Sequence, residues 1–560
     1  MTAGRSPDSA APLPRVLVLG AGPVGQSAAL LLARWGVPVT VLDQRPARDA
    51  VGSKAICQQR DVLDIWDSVG VGAQVAAEGV TWTTARTFYA STELFSYEFV
   101  DRGRSPFPPF VNISQSRTEE LLDAALAAQP LVDVHWGTRV DTIEQDADGV
   151  TLTCDVGGRM EVLRGAYAVA CGGARAEAVR RALGVSFDGV TFDDRFLICD
   201  IRATLPGWER ERRFYFDPVW NPGRQVLIHP CPDSTYRIDW QVPPEFDLAA
   251  EQASGALDAR IRAVIGERPY EVVWQSVYRF HSRRADRFRA GRVLLAGDCA
   301  HLVAPFGARG LNSGVPDVEN AAWKLAFVIR GWAPDALLDS YDFERGAAAD
   351  ENLEVTGATM RFLVPQSAAE WERRRSTLEA AVHDPSARAG IDSGRFAEPF
   401  WYVDSPLTTP DPTRPPAGRP PRGQTPPPGT GVLVPDLPLL LPGAVEPTRL
   451  GVVARQGVFA LCGAGVDPVT VRSVVSDVTA ADVLVLSVPE IDCAGVIGAT
   501  LDVRDPEVWL LRPDAHVAAV VPVDGVADAL RRMLTLSAPA TPLATPFRGG
   551  DRDGVLPAGR

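Results

Sequence analysis

The strongest constraint on the fold lies near the start of the chain, in residues 15–43. The apolar run RVLVLG predicts a buried strand, and the glycine pattern GAGPVG follows it at once. A helical stretch, a second apolar strand and Asp43 complete the unit. This order of strand, GxGxxG, helix, strand and acid is the fingerprint of dinucleotide-binding βαβ units. It therefore predicts a parallel α/β sheet with a bound dinucleotide rather than a glycine-rich turn without a ligand.

The glycines of this unit have separate physical tasks. Gly20 permits a tight turn, Gly22 lets a pyrophosphate approach the backbone, and Gly25 allows the helix to pack closely on the strand. Asp43 ends the second strand, where its carboxylate can accept a hydrogen bond from a ribose hydroxyl group. The unit alone leaves both FAD and NAD(P) open as its ligand. Further positions predicted to contact the cofactor are Pro23, Val24, Gln44, Arg45, Ser53 and Lys54.

A second stretch, residues 291–314, combines the same kinds of element in a different order. Its apolar run predicts a buried strand, Asp298 stands where that strand ends, and a glycine-rich loop leads into a helical pattern. Backbone N–H groups at a helix start favour negative charge, so this stretch suits the polar tail and the ring edge of a cofactor. Because residues 20–25 supply the other end of such a ligand, we expect both stretches to bind the same molecule.

Residues 187–242 change to a β pattern, with short apolar strands separated by turn signals. We expect an antiparallel sheet that roofs a pocket. The residues on it that are predicted to contact a substrate are Tyr215, His229, Arg237, Trp240 and Gln241. Since alternate residues of a strand face opposite sides, some of these must point away from the pocket.

Composition narrows the range of partners. The formal charge of −14 and the pI of about 5.1 argue against a nucleic-acid or anionic-membrane surface. No run of about eighteen apolar residues is present, so we expect no membrane span. The 8 cysteines lie far apart without a CxxC pair, and the 6 histidines are scattered. The simplest interpretation is a reduced, cytoplasmic protein without a protein-bound metal.

Three parts of the sequence together resemble the single-component, flavin-dependent aromatic monooxygenases of the para-hydroxybenzoate hydroxylase and phenol hydroxylase superfamily. They are residues 20–25, the segment ACGGAR at 170–175, and Gly297-Asp298 with residues 305–312. Their order and separation match that family over residues 14–400. The resemblance implies an extended FAD, NAD(P)H and molecular oxygen as co-substrates, and hydroxylation of a phenolic or polyketide-like aromatic substrate through a flavin hydroperoxide.

The resemblance also implies roles for single residues. Asp298 would bind the pyrophosphate–ribityl region, the backbone N–H groups of Leu311 and Asn312 would meet the flavin's pyrimidine carbonyl, and Gln115 would contact the flavin or its ribityl chain. Gly173 and Gly310 are further predicted cofactor contacts. The candidate catalytic residues are Pro305 at the reactive ring edge, Arg309 and His229. His301 and Arg309, both in this loop, could each approach the flavin or the incoming nicotinamide, or serve as a structural hydrogen-bonding group.

The predicted fold class is α/β, with a Rossmann-type FAD-binding domain, a mixed or antiparallel substrate sheet and a small thioredoxin-like α/β domain. The predicted boundaries are a disordered leader at 1–14, the FAD-binding domain with a helical extension at 15–80, 111–185 and 276–400, the substrate sheet at 81–110 and 186–275, a Pro-rich linker at 405–430, and the C-terminal domain at 431–550. No thiol redox chemistry is expected of that last domain, since it has no CxxC pair.

Two positions depart from the family pattern, because Gly172 stands where an Asp is usual and Lys54 where an arginine is common. These changes leave open how the nicotinamide cofactor is used and whether it is NADH or NADPH. Two alternatives to hydroxylation stay open: Baeyer–Villiger oxygen insertion or oxidative rearrangement on the same scaffold, and an FAD- or ligand-binding protein without turnover. A homodimer is one possible assembly.

Overall fold

The computed structural model describes residues 13–49, 55–98, 105–415 and 427–535. The strands, numbered along the chain, are β1 (Val16–Leu19), β2 (Val39–Leu42), β3 (Cys57–Gln59), β4 (Thr84–Tyr89), β5 (Thr92–Glu98), β6 (Phe110–Asn112), β7 (Val132–His135), β8 (Thr138–Gln145), β9 (Val150–Val156), β10 (Arg159–Gly165), β11 (Tyr167–Ala170), β12 (Phe187–Ala203), β13 (Glu211–Phe216), β14 (Gln225–Cys231), β15 (Thr235–Val242), β16 (Tyr270–Ala285), β17 (Arg289–Ala290), β18 (Val293–Leu295), β19 (His301–Leu302), β20 (Pro438–Leu439), β21 (Thr448–Arg449), β22 (Val458–Cys462), β23 (Val483–Ser487), β24 (Val508–Leu511) and β25 (Val517–Val521).

The helices are α1 (Pro23–Arg34), α2 (Arg60–Asp67), α3 (Gly72–Glu78), α4 (Gln115–Ala127), α5 (Glu177–Ala182), α6 (Leu248–Ser254), α7 (Ala256–Ile265), α8 (Arg309–Ile329), α9 (Asp339–Leu363), α10 (Ala368–His383), α11 (Leu450–Ala454), α12 (Pro468–Ser476), α13 (Val488–Ile491), α14 (Val496–Leu501) and α15 (Val526–Thr535). Short 3₁₀ turns lie at Gly297–Cys299, Asp335–Leu338, Pro385–Gly390 and Val523–Gly525. Within the described ranges, no helix combines the length and apolar character that crossing a membrane requires.

The predicted parallel sheet is confirmed. It has six strands in the order β17-β18-β11-β1-β2-β7, and all neighbours are parallel except β17 and β18. Strands β1, β2, β11 and β18 are buried along their whole length. Such continuous apolar runs are expected when both faces of a sheet are covered. The small antiparallel sheet β8-β9-β10 forms part of the connection between β7 and β11.

The predicted roof is an eight-stranded mixed sheet in the order β19-β16-β12-β15-β14-β13-β4-β5. Its strands are mostly antiparallel, but β4 and β13 run parallel. One face packs on helix α7, and the opposite face packs on the loop at Ala304 and Phe306 and on helix α9. This second face therefore looks toward the glycine-rich stretch that the sequence marked out.

The C-terminal unit has its own four-stranded sheet in the order β23-β22-β24-β25. Strands β22 and β23 are parallel, and the other two pairs are antiparallel. The preceding segment was predicted to be a Pro-rich linker, and its described part, residues 405–415, has no helix or strand and packs on the protein. Leu407 is fully buried, and Arg414 pairs with Glu507 at 2.7 Å. Polar and apolar contacts with the C-terminal unit therefore fix a proline-rich stretch; residues 416–426 lie outside the described residues.

A buried ion cluster joins the C-terminal unit to helices α8 and α9. The carboxylate of Glu344 accepts from Lys324 at 2.6 Å and from Arg512 at 2.5 and 2.9 Å. All three side chains are fully buried. Burial alone would raise the pKa of Glu344, but the charges of Arg512 and Lys324 outweigh it and lower the pKa to about 2. The carboxylate is therefore charged wherever the protein is folded under ordinary conditions.

We expect Glu344→Gln to destabilise the protein strongly, because it leaves the buried charges of Lys324 and Arg512 without their shared counter-ion. The expected loss in the free energy of unfolding is about 3–5 kcal/mol, measured by denaturant titration. The matched control is Glu271→Gln, which removes an exposed ion pair with Arg202 at 2.9 Å and should cost no more than about 1 kcal/mol. Equal losses for the two variants would contradict the role given to the buried cluster.

Candidate functional site

The predicted cofactor residues meet at one edge of the parallel sheet. Residues 20–25 follow β1, Asp43 follows β2, Gly173 lies just after β11, and Asp298 lies just after β18. These four strands are parallel neighbours, so their carboxyl ends open on the same side. In open α/β sheets this edge is where nucleotide ligands bind. The fold thus brings together positions that are far apart along the chain.

The fingerprint glycines have two different surroundings. A Cβ on Gly20, whose φ is +110°, would lie 2.5 Å from the carbonyl oxygen of Cys171, and one on Gly25 would lie 1.8 Å from the carbonyl oxygen of Gly20. Neither position has room for a side chain. A Cβ on Gly22 would have no heavy atom within 4 Å. The open space at Gly22, beside the start of helix α1, fits the close approach of a phosphate group.

Asp43 is fixed at the sheet edge by hydrogen bonds to both oxygens. Its carboxylate accepts from the Ala21 backbone N–H at 2.9 Å and from the guanidinium of Arg45 at 3.0 and 2.9 Å. Burial raises the pKa of Asp43, but these hydrogen bonds outweigh it, so the pKa lies below its ordinary value. The guanidinium of Arg45 also lies 5.6 Å from the ring centre of Trp136. Gln44 is exposed next to this pair.

The side chain of Val24, within residues 20–25, contacts the second stretch predicted to bind the cofactor, residues 291–314. Its side chain lies against Gly297 and Gly314, where an added Cβ would come within 3.1 and 2.7 Å of Val24 methyl groups. Helix α1 therefore packs directly on the 3₁₀ turn after β18 and on helix α8. Asp298 stands in the middle of this turn and is exposed. The predicted cofactor positions at the two ends of the site are in direct contact.

Asp317 holds this turn in place, although no sequence motif predicts that role for Asp317. Its carboxylate accepts from the Gly297 backbone N–H at 2.9 Å, lies 2.7 Å from His301 Nε2 and accepts from Arg345 Nε at 2.7 Å. Burial raises the pKa of Asp317, but the charges of His301 and Arg345 and these hydrogen bonds lower it to about 2. The only sequence signal is an acid within the largely apolar helix α8. His301 is 1% exposed and stacks on Phe288, which supports its structural alternative.

The resemblance assigned Pro305 and the backbone N–H groups of Leu311 and Asn312 to the flavin ring, and these residues lie in the loop and the first turn of helix α8. Pro305 is exposed, and helix α8 begins at Arg309 after Ala308 in the left-handed conformation (φ 56°). The first backbone N–H groups of a helix have no carbonyl partner within it, which here applies to Gly310 and Leu311. A Cβ on Gly310 would meet nothing within 4 Å. This helix start can accept the electron-rich edge of a ring system.

The side chains of Asn312 and Arg309 serve the protein itself. Asn312 is 4% exposed; its Oδ1 accepts from the Gln59 N–H at 2.9 Å and its Nδ2 donates to the Cys57 carbonyl at 2.8 Å. Arg309 is 3% exposed and donates to the carbonyl of Phe396 at 3.0 Å. These contacts support the structural alternative for Arg309, because its guanidinium binds the segment that crosses the loop; its catalytic role stays a prediction.

Two hydrogen bonds, one to Gln115 and one from Arg180, fix backbone segments beside the site. Gln115 Oε1 accepts from the Ala55 N–H at 3.1 Å, at the start of helix α4. Ser53 and Lys54 lie outside the described residues. Gly173 adopts φ +73°, and the buried Arg180 donates to the Cys299 carbonyl at 3.2 Å. This bond ties the loop after β11 to the turn that carries Asp298.

The roof sheet divides the predicted substrate residues between its two faces. Trp240 is fully buried against helix α7, and the ring of Tyr215 stacks on Phe88 with centres 4.5 Å apart. The predictions for Tyr215 and Trp240 are therefore wrong, since the alternation of the strands turns both away from the loop. His229, Arg237 and Gln241 occupy the opposite face.

Of these three, Arg237 and Gln241 are engaged within the sheet. Arg237 makes a two-pronged ion pair with Asp200 at 2.8 and 2.9 Å, and Gln241 donates to Asp194 at 2.5 Å. His229 differs, because its buried Nδ1 atom has no hydrogen-bond partner. Burial, and then the charges of Arg212 and Arg237, hold the pKa of His229 well below 6.5. The imidazole is therefore neutral and able to bind a ligand group.

Comparisons with known proteins agree with this geometry. The FAD binding domain family matches residues 14–356. The 3-(3-hydroxy-phenyl)propionate/3-hydroxycinnamic acid hydroxylase of Mycobacterium sp. (strain KMS) is 32% identical over 415 residues, which cover 72% of this chain and 69% of that protein. A flavin-dependent monooxygenase of Mycobacteroides abscessus (strain ATCC 19977) is 32% identical over 351 residues, 59% of this chain and 70% of that protein.

Solved structures share the fold over nearly the whole chain. The flavin-dependent monooxygenase PieE, crystallised with FAD and substrate, aligns with a TM-score of 0.81 and 24% identity over 93% of this chain and 99% of that chain. Aklavinone-11 hydroxylase, crystallised with FAD and aklavinone, aligns with a TM-score of 0.75 and 23% identity over the same shares of both chains. The fold and the site define a flavoprotein. The chain belongs to the FAD-binding family of flavin-dependent aromatic monooxygenases.

Two of the fingerprint glycines, Gly22 and Gly25, allow a paired test of cofactor contact. We expect Gly22→Ala to leave folding intact, because Gly22 has an extended backbone (φ −74°, ψ 176°) and open space, while FAD affinity falls by roughly tenfold or more. Gly25→Ala should instead lower the free energy of unfolding by about 1–3 kcal/mol through overpacking. Flavin absorbance per protein and denaturant unfolding of the FAD-free forms measure the two effects. Unchanged FAD affinity in Gly22→Ala would contradict phosphate contact at that position.

Proposed function

We propose that this protein is an FAD-dependent monooxygenase that uses NAD(P)H and molecular oxygen to hydroxylate a phenolic or polyketide-like aromatic substrate. The observation that carries the proposal is the placement of the Pro305 loop and the start of helix α8 beneath the face of the roof sheet that holds His229. A cofactor ring bound at this loop would face the polar side chains of the roof, which supports a substrate position between them. The hydroxylase names of the relatives, which refer to hydroxylated aromatic acids, support the substrate class.

The residues present fit FAD, since Gly22 and Gly310 leave the open space that an extended cofactor needs. Bound FAD supplies hydride acceptance and oxygen activation. The chain's own share is binding and electrostatics: Gly22 and the start of helix α1 would face the pyrophosphate, and the charged Asp43 could accept from a ribose hydroxyl. The backbone N–H groups at the start of helix α8, among them those of Leu311 and Asn312, would favour negative charge at the pyrimidine edge of the ring without any side chain changing its ionisation.

The C-terminal unit is proposed to be a thioredoxin-like domain with a structural task. Its βαβ unit, followed by two antiparallel strands and helix α15, supports this fold. Cys462 ends β22 but is fully buried, and burial raises the pKa of its thiol to about 11. A thiol of this kind is a poor nucleophile at neutral pH. The ion cluster of Glu344 and Arg512 is one of the contacts between this domain and the flavin-binding part, beside the buried pair of Arg455 with Glu319 at 2.7 Å.

Turnover with a panel of phenols tests the proposed reaction. We expect the purified protein to carry FAD, to oxidise NADH or NADPH faster when a suitable phenol is added, and to release a product heavier by one oxygen atom. The measurements are flavin absorbance, NAD(P)H absorbance and product mass; product structure separates ring hydroxylation from oxygen insertion. A folded protein without flavin would overturn the proposal, and so would FAD-loaded protein whose NAD(P)H oxidation responds to no phenol and yields no oxygenated product.

A further inference from the structure

The loop-facing side of the roof sheet carries a row of charged and polar groups across adjacent strands. His229 on β14 is paired in register with Arg237 on β15, and Arg237 with Asp200 on β12. Arg212 on β13 lies close enough for its charge to act on His229. Arg212 also donates to the carbonyl of Ser393 at 3.3 Å, in the segment that crosses the cofactor loop. The row therefore lies beside the segment that crosses the cofactor loop.

Asp239 occupies the next position on this face and has different neighbours. Its register partners are Leu227 on β14 and Ile198 on β12, both of which are apolar and buried. One carboxylate oxygen, Oδ1, is buried without a hydrogen-bond partner. The residue as a whole is half-buried. A carboxylate set among apolar side chains with an unused acceptor is costly, and in native proteins such groups gather at functional sites.

The ionisation of Asp239 suits proton transfer near neutral pH. Burial raises its pKa to about 7, the charge of Arg237 works against this rise, and the charge of Asp200 adds to it. A base whose pKa is near the working pH is ionised in a large fraction of the molecules and still accepts a proton readily. The charged or titratable groups that face this region from the neighbouring strands are Arg212 (β13), His229 and Cys231 (β14), Arg237 (β15), Asp200 (β12) and Tyr278 (β16).

We propose that Asp239 accepts the proton of a phenolic hydroxyl group of the substrate; the assignment rests on the proposed hydroxylase function. The O–H bond of the phenol breaks, its proton moves to the Asp239 carboxylate, and the electron pair stays on the phenolate oxygen. The positive charges of Arg212 and Arg237 stabilise that anion. A phenolate is richer in electrons than a phenol, so the ring is prepared for attack on an electrophilic oxygen. His229, neutral and with a free Nδ1, binds a second polar group of the substrate.

Two phenols of different acidity separate this role from a structural one. In FAD-loaded Asp239→Asn, we expect hydroxylation of unsubstituted phenol, a weak acid, to fall by about 100-fold or more, as for loss of a general base. Above neutral pH, p-nitrophenol is already ionised and needs no base, so its turnover should fall by no more than roughly threefold. In the wild type, kcat/KM for phenol should rise as the pH passes through about 7, because Asp239 is then ionised, and the variant should lose this rise.

A binding measurement tests the same group without turnover. Benzoate is an unreactive anion that Asp239 repels when charged, so its affinity for the wild type should weaken as the pH rises through about 7. Asp239→Asn should bind benzoate more tightly at pH 8 and lose this pH dependence; tryptophan fluorescence reports the binding. The matched control is Asp233→Asn, the same substitution in the exposed turn of the same hairpin, which should behave as the wild type.

The possible results distinguish a failure of the role of Asp239 from a failure of the proposed hydroxylase function. Equal losses for the two phenols, or a variant that keeps the wild-type pH profile, overturn the role of Asp239 while leaving the hydroxylase function in place. Wild-type protein that binds no benzoate, or binds it without a pH dependence near 7, also overturns it, and this result does not depend on the folding of any variant. A wild type that holds no FAD or oxygenates no phenol instead overturns the proposed function, and the assignment of Asp239 falls with it.

Discussion

The candidate site depends first on backbone segments that approach each other more closely than side chains allow. Helix α1 lies so near the ends of β1 and β11 that a Cβ on Gly20 or Gly25 would collide with a carbonyl oxygen. This depth of packing lets Val24 reach the turn and helix that follow β18. Two stretches far apart in the sequence therefore share one contact. The open space at Gly22 follows from the same geometry. The close contacts at Gly20 and Gly25 already fix the backbone, so no side chain is needed to fill the space at Gly22.

Buried carboxylates then fix what the glycines bring together. Asp317 binds the Gly297 amide and Arg345, and Arg345 reaches the hydroxyl of Tyr402 at 2.9 Å. Glu344, the residue before Arg345 on helix α9, binds Arg512 of the C-terminal unit. Burying these charges is unfavourable unless every charge has its partners, so an error in assembly would be costly. The turn that carries the exposed Asp298 is therefore held by a series of polar contacts. This series extends through helices α8 and α9 to the C-terminal unit.

The sequence predicted the parts of the site that are local. A strand, glycines and a helix in one short unit determine their own geometry, and the sheet edge with Gly22, Asp43 and Asp298 agrees with it. Asp317 and Asp239 could not be found in this way, since their partners come from distant segments and no motif marks them. The roof strands were also predicted, but which side each residue faces depends on register. Because side chains alternate, Trp240 faces helix α7, while its neighbour Gln241 lies on the loop-facing side, where its substrate contact stays a prediction.

The same alternation places four charged or titratable residues on the loop-facing side of the roof. The face against helix α7 is a packed apolar core, where a polar side chain would displace close contacts. The loop-facing side combines apolar residues with Arg212, His229, Arg237 and Asp239, and two of these carry buried atoms, Nδ1 and Oδ1, without a partner. A sheet selected for stability alone would place apolar residues or complete pairs there. A ligand whose own polar groups complete these hydrogen bonds best accounts for the two buried atoms without a partner. A hydroxylated aromatic ring that lies between apolar and charged side chains meets that requirement.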